Sequence, residues 1–162
     1  MATYGSASGQ ESSRPSDKVR SGGDRRFDPR ATDAMLRDVG LRPTRQRISL
    51  AKLLFGAGDR HVSAEGLHEE ATRAGCHVSL ATVYNTLNQF TEAGLLRAVA
   101  LDSSRQWFDT NLSDHHHFYY EDSDEIADVR GGGIRVADVP EPPEGTEIER
   151  VDVIVRLRRV TG

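Results

Sequence analysis

Residues 79–90, Ser79-Leu80-Ala81-Thr82-Val83-Tyr84-Asn85-Thr86-Leu87-Asn88-Gln89-Phe90, decide how the chain is read. Ser79 carries the hydroxyl of an N-cap, able to accept a bond from an orphan amide of a first helical turn. Leu80, Val83, Leu87 and Phe90 recur at helical spacing and predict one buried stripe. The other face presents Thr82, Tyr84, Asn85, Asn88 and Gln89, all able to hydrogen-bond and none acidic, until Gly94 stops the helix. Such a helix suits the DNA major groove, where base edges are read by hydrogen bonds and methyl contacts. An ordinary surface helix carries the same pattern, so its neighbours decide.

Upstream, Thr32–Val39 reads as a short helix, and Thr44 caps a second one whose inward stripe is Ile48, Ala51, Leu54 and Phe55. Arg42, Arg45 and Arg47 crowd that helix start, where the macrodipole favours anions, so a phosphate opposite would compensate them. Ser63 caps a third helix, with Ala64, Leu67, Ala71 and Ala74 inward and Gly75 as its stop. Helix, helix, tight turn, helix is a helix-turn-helix order with residues 79–90 in the reading position. Downstream, Leu95–Ala100 and Gln106–Thr110 read as two strands around a turn at residues 102–105. That completes a winged helix, with Arg105 at the wing tip facing phosphate.

The second half changes character. Residues 115–120 alternate as a strand, with His115, His117 and Tyr119 on one side and His116, Phe118 and Tyr120 on the other. Glu125–Val129 and Ile134–Val139 are expected as further strands, and residues 140–145 as a Pro-rich loop. In 147–160, Val151, Val153, Val155 and Leu157 alternate with Asp152, Ile154, Arg156 and Arg158, a strand with one apolar face needing cover. A second copy of the chain is the expected cover.

Charge divides the same way. Residues 1–30 carry net +2, 31–100 net +1 and 101–162 net −7, within an overall −4. The acidic excess leaves the front half free to approach phosphate. Residues 1–29 are Ser-, Gly- and charge-rich and are expected to be a disordered tail, with Arg25, Arg26 and Arg30 adding weak phosphate attraction. No apolar run is long enough to span a membrane, and none marks a signal peptide, so the expected location is cytoplasmic. The single cysteine, Cys76, excludes a zinc site needing two thiolates from one chain.

Three consecutive histidines are the strongest chemical signal. On a strand, His115 and His117 can share one ion, and nitrogen donors with carboxylates suit zinc, iron, manganese or cobalt. His61 and Asp109 flank the junction of the halves and Asp128 stands on the next strand as further candidate ligands, although for each taken singly spacing alone favours an ordinary structural role. A metal-dependent hydrolase is the rival from another class, although no Glu follows the histidines at catalytic spacing.

These stretches resemble the ferric uptake regulators. The resemblance runs from about Val39 to Val129, through residues 40–47 (Gly-Leu-Arg-Pro-Thr-Arg-Gln-Arg), 61–65 (His-Val-Ser-Ala-Glu), 81–87 (Ala-Thr-Val-Tyr-Asn-Thr-Leu) and His115-His116-His117. Within that family the chain looks most like the iron response regulators (Irr), through the 115–119 run, the Pro140–Gly145 loop and the 151–157 strand. The resemblance implies an α+β fold. A winged-helix DNA-binding domain (30–110) precedes a small α/β dimerisation and sensing domain (111–162). It further implies a homodimer on double-stranded promoter DNA, acting as a transcriptional regulator or repressor rather than an enzyme. A divalent metal (Fe, Mn or Zn) would be held at the hinge by His61, Asp109, His115, His117 and Asp128. Tyr84 and Asn85 would read bases, Arg42 would enter the minor groove, and Thr44, Arg45, Arg47, Ser79, Thr82 and Arg105 complete the expected DNA contacts. The Cys-x-x-Cys pair of many members is replaced by Tyr120 and Ser123, so no structural zinc is expected. Irr-like proteins implicate the three histidines, His115, His116 and His117, in binding haem, with a haem-delivering protein as a further partner. An N-terminal Cys-Pro haem motif is missing, since Cys76 precedes His77. A peroxide sensor of the same family is the closer alternative.

Overall fold

The computed structural model describes residues 29–160; the expected tail, with Arg25 and Arg26, lies outside them apart from Pro29. Four helices come first: α1 (Pro29–Asp38), α2 (Arg45–Phe55), α3 (Ala64–Arg73) and α4 (Leu80–Glu92). Pro29 suits the first helical position, where an amide N–H would be unpaired anyway. Helix α1 therefore starts earlier than Thr32. The caps form as the sequence predicts. Thr44 Oγ1 accepts from Arg47 N at 3.3 Å, Ser63 Oγ from Gly66 N at 3.1 Å, and Ser79 Oγ from Thr82 N at 3.1 Å. Gly94 stops α4 with φ +72°, a conformation that disfavours any residue with a Cβ.

Leu50 and Leu54 of α2, Leu67 of α3 and Val83, Leu87 and Phe90 of α4 are fully buried around Phe108. Each such side chain contributes about 1.5–3 kcal/mol by leaving water. Two expected core positions differ. Leu80 is 37 % exposed because the first residue of α4 overhangs the core, and Thr86 is buried instead, its hydroxyl donating to Thr82 O at 2.8 Å. Ala74, at the C-cap of α3, is also exposed.

The wing has three strands. β1 (His61–Ser63) precedes α3, and β2 (Arg97–Val99) and β3 (Trp107–Asp109) form the hairpin, in the antiparallel order β1-β3-β2. Directly paired residues share a face, so the registers His61↔Asp109 and Arg97↔Asp109 set His61, Asp109 and Arg97 in one row.

A second sheet holds β4 (His117–Tyr120), β5 (Glu125–Asp128) and β6 (Ile154–Leu157) in the order β5-β4-β6. β5 is antiparallel and β6 parallel to β4. Here His117 pairs with Asp128 on one side and Ile154 on the other, a second row. The expected strand at Ile134–Val139 does not form; those residues belong to the crossover that a parallel pairing requires. The strand expected across 147–160 shrinks to the four residues that find partners on β4. Residues 140–145 form no helix or strand, in line with their prolines. No helix among the described residues is long and apolar enough to cross a membrane.

Candidate metal centre and nucleic-acid interface

The two rows meet. His61 and Asp109 come from the wing sheet, His117 and Asp128 from the second sheet, and His115 from the connection between them. One ligand atom from each of the five lies within 4.8 Å of every other. Asp109 Oδ2 sits among the imidazoles, 2.9 Å from His115 Nε2, 3.4 Å from His117 Nε2 and 3.6 Å from His61 Nε2. Asp128 Oδ1 stands 3.1 Å from His61 Nε2 and 3.2 Å from His115 Nε2. Asp109 is wholly buried and His117 nearly so.

Outer contacts aim these groups. Asp109 Oδ1 accepts from the Asn111 amide at 2.8 Å, leaving Oδ2 to face the histidines. His115 Nδ1 lies 2.8 Å from Ser113 O; a carbonyl only accepts, so Nδ1 carries the proton and Nε2 offers its lone pair inward. Lone pairs on His115 Nε2 and Asp109 Oδ2, 2.9 Å apart, repel unless a cation or proton stands between them. His61 Nε2 and Asp128 Oδ1 are buried and lack hydrogen-bond partners among the described residues. Converging, orphaned nitrogen and oxygen donors fit a first-row divalent cation.

Burial pushes the His61 pKa below its ordinary value, outweighing the carboxylates of Asp109 and Asp128 that pull it up. His61 is thereby kept in the neutral, ligating form. Burial raises the Asp109 carboxyl, but hydrogen bonds from His117 and the Asn111 amide outweigh it and hold the pKa below the usual carboxylate value.

Arg97 went unremarked in the sequence, where it reads only as a strand residue. It is 7 % exposed, with Nη2 3.6 Å from Asp109 Oδ2 and over the His115 ring, 3.3 Å from Nδ1 and 3.4 Å from Nε2, and with Nη1 donating to Ser113 O at 3.1 Å. A hairpin register counted outward from the 102–105 turn brings Arg97 within one position of Asp109, which was the available signal. His116 points away from the cluster. Its Nδ1 accepts from Val153 N at 3.3 Å, and it lines an open pocket of about 220 Å³ with Asp114, His115, Val129, Gly133 and Ile134.

On the outer side of the helices, Asn85 and Asn88 of α4 are exposed, as are Arg42 and Arg45. Ser79 and Thr82 are engaged with each other, their hydroxyl oxygens 2.9 Å apart, and Thr44 is engaged with its own cap. Tyr84 is half-buried, and its hydroxyl donates to Glu65 Oε1 at 2.6 Å. That bond holds Glu65 below the ordinary carboxylate range and raises the tyrosine, which stays protonated. Arg47 turns inward, with Nε and Nη2 donating to Gln89 Oε1 at 3.1 and 2.7 Å and Nη1 to Arg42 O at 2.9 Å. Arg105, at the wing tip, leans on Asp124 of the second half at 3.6 Å, and Ser104 Oγ donates to the same carboxylate at 3.2 Å.

Residues 38–154 match the ferric uptake regulator family. The chain belongs to that family. Its members are transcription regulators and not enzymes, which removes the hydrolase reading. Similar proteins include the ferric uptake regulation protein of Pseudomonas aeruginosa, 38 % identical over 92 residues that cover 56 % of this chain and 69 % of that one. The Haemophilus influenzae protein of the same name is 32 % identical over 93 residues, covering 57 % and 64 %. Among solved structures, the P. aeruginosa regulator with manganese superposes with a TM-score of 0.60 at 26 % identity, covering 80 % of this chain and 98 % of that one. The Vibrio cholerae regulator gives a TM-score of 0.64 at 22 % identity, covering 78 % and 98 %, and shows the shared fold. This family member thus has an α+β fold, a winged helix followed by a small sheet domain.

Proposed function

We propose that this family member is a cytoplasmic, homodimeric transcription regulator of double-stranded promoter DNA, switched by a divalent metal at the hinge between its two sheets. The five ligand atoms within 4.8 Å, drawn from both halves of the chain, carry the reading. His61, Asp109, His115, His117 and Asp128 would hold the ion. When bound, the cation neutralises two carboxylates and ties the halves together. Residues 30–110 form the reading module and 111–162 the pairing and sensing module.

DNA contact rests on the exposed Asn85, on Tyr84 released from or held by Glu65, on Arg42 and Arg45 toward phosphate or the minor groove, and on Arg105 once it leaves Asp124. Arg47 acts indirectly, bracing α2 against α4. Thr44, Ser79 and Thr82 set the helix starts. Dimerisation rests on the apolar side chains of the crossover, Val136, Val139, Ile148 and Val151, all exposed in the single chain. In a dimer the two α4 helices must stand about 34–36 Å apart, or a multiple of it, to enter successive grooves. A metal that fits one hinge angle better shifts DNA occupancy by its differential affinity for that angle. The P. aeruginosa neighbour described with manganese, together with nitrogen and oxygen ligands, supports Mn, Fe or Zn.

The test is a metal titration of the purified protein followed by gel shifts on promoter fragments. Metal-dependent, sequence-specific binding that disappears in His61→Ala and His117→Ala supports the reading, whereas metal-independent specific binding overturns it.

The Irr-like response to haem rests on the 115–117 run alone. His115 and His117 belong to the metal cluster, and the pocket beside His116, about 220 Å³, falls below the range of about 300–1,000 Å³ for small-molecule sites. No step is assigned to haem or to a protein that delivers it. A haem titration read by absorbance, with and without His116→Ala, tests this finer reading.

A further inference from the structure

The hinge cluster already contains a cation. Arg97 is almost wholly buried, and a buried guanidinium is costly unless its partners are matched to it. Its neighbours are two of the five candidate ligand residues, Asp109 and His115. Nη2 lies 3.6 Å from Asp109 Oδ2 and packs on the face of the His115 ring, 3.3 Å from Nδ1 and 3.4 Å from Nε2. Nη1 anchors the fork on Ser113 O, the same carbonyl that fixes the His115 ring. The register Arg97↔Asp109 makes the arrangement a property of the wing hairpin rather than of a mobile side chain.

We propose that Arg97 is a resident counter-cation that competes with the divalent metal for the charge of Asp109 Oδ2, and so sets the metal concentration at which the hinge closes. This rests on the metal-hinge reading above and adds a residue to it. In the metal-free protein, Arg97 neutralises a carboxylate that is 0 % exposed and keeps the cluster folded. Metal binding must displace the guanidinium from Asp109, or accept its repulsion at close range in a poorly screened interior. Either way affinity is lowered, and a site that would otherwise stay saturated becomes reversible. Arginine suits this role because its planar guanidinium can lie on the His115 ring while Nη1 donates to Ser113 O and Nη2 faces Asp109.

The experiment measures Mn²⁺ and Zn²⁺ affinity by competition with a chromophoric chelator in wild type, Arg97→Met, Arg97→Gln and Arg97→Lys, with circular dichroism to confirm folding. Thermal melts are run with and without metal. The expected result is affinity at least tenfold higher in Arg97→Met and Arg97→Gln, near wild type in Arg97→Lys, and a lower melting temperature for the metal-free neutral variants. A merely structural role for Arg97 predicts weaker metal binding in the neutral variants, because the ligands would lose their alignment. Unchanged or weaker affinity in folded Arg97→Gln overturns the proposal while leaving the hinge intact. A wild-type protein that binds neither metal overturns the hinge reading itself, and Arg97 with it.

Discussion

His61 Nε2 lies 3.1 Å from Asp128 Oδ1, and the two residues belong to different sheets. Neither atom has a hydrogen-bond partner among the described residues, so this close approach holds the halves together only weakly until something bridges it. A bridging cation would convert a costly contact into a stabilising one. The relation therefore links ligand chemistry directly to interdomain geometry.

Removing either end should uncouple the two. His61→Ala and Asp128→Asn are expected to lower divalent-metal affinity by more than the roughly 10–100-fold that loss of an outer-shell partner costs. Calorimetric titration checks this, and a change under threefold in both variants would falsify the assignment of these residues as ligands.

Acid should loosen the metal-free protein in two stages. His61 has a folded pKa below its ordinary 6.5, so the unfolded chain takes up its proton first, and stability falls as pH drops below about 6.5. Asp109, also depressed, contributes stability present above its ordinary 3.8 and lost as pH falls through its folded value. Thermal melts between pH 7.5 and 3 should show both stages. His61→Ala should flatten the upper one, and an unchanged profile in that variant would count against a buried, neutral His61.

Tyr84 and Glu65 form a pair at 2.6 Å on the proposed reading surface. Tyr84→Ala should cost about 1–3 kcal/mol in specific DNA binding and leave nonspecific binding nearly intact. Glu65 is expected to act through the tyrosine hydroxyl, so Glu65→Ala should alter specificity in wild type and add nothing in a Tyr84→Phe background. A double-mutant cycle on operator affinity measures the coupling, and strict additivity would show that the two act independently.

Arg45 and Arg47 are close in sequence but should behave oppositely. Arg45, exposed, should affect DNA affinity, and Arg45→Ala should reduce the salt slope by about 1 without changing stability. Arg47→Ala breaks the bonds to Gln89 and Arg42 O and should cost about 1–2 kcal/mol of folding stability. Urea melts and salt-dependent binding curves separate them; equal melts for both variants would contradict the inward role of Arg47.

Asp124 holds the wing tip through Arg105 and Ser104 and has φ +49°. Asn tolerates that conformation, so Asp124→Asn removes charge without backbone strain. Arg105 is half exposed, so stability should change by about 1 kcal/mol or less. Affinity for DNA at low salt should rise as Arg105 is released. A fall in affinity would mean that Asp124 supports the wing in its binding position.

Local signals were the legible part of this chain. Cap hydroxyls at Thr44, Ser63 and Ser79, glycine stops and the 3.6-residue spacing of Val83, Leu87 and Phe90 act within one or two turns, so they can be read without knowing the fold. The five candidate ligands are also legible in the sequence, His115 and His117 from their alternation and His61, Asp109 and Asp128 through the family resemblance. The short β1 strand, the loss of the Ile134–Val139 strand and the parallel placement of β6 were hidden. A three-residue strand has too little pattern to show a period, and a parallel partner is chosen by distant backbone groups.

Residue types and local spacing thus determined the helices, their caps and the pool of ligands. Only tertiary structure decided that His61, Asp109 and Arg97 form one row and Asp128 and His117 another, and that the rows face each other. Strand register sets the face and depth of every side chain at once, and it is chosen by pairings far apart along the chain. Tertiary packing also buried Arg97 among the candidate metal ligands, and the packing of α2, α3 and α4 on one another turned Arg47 inward and engaged Tyr84 with Glu65.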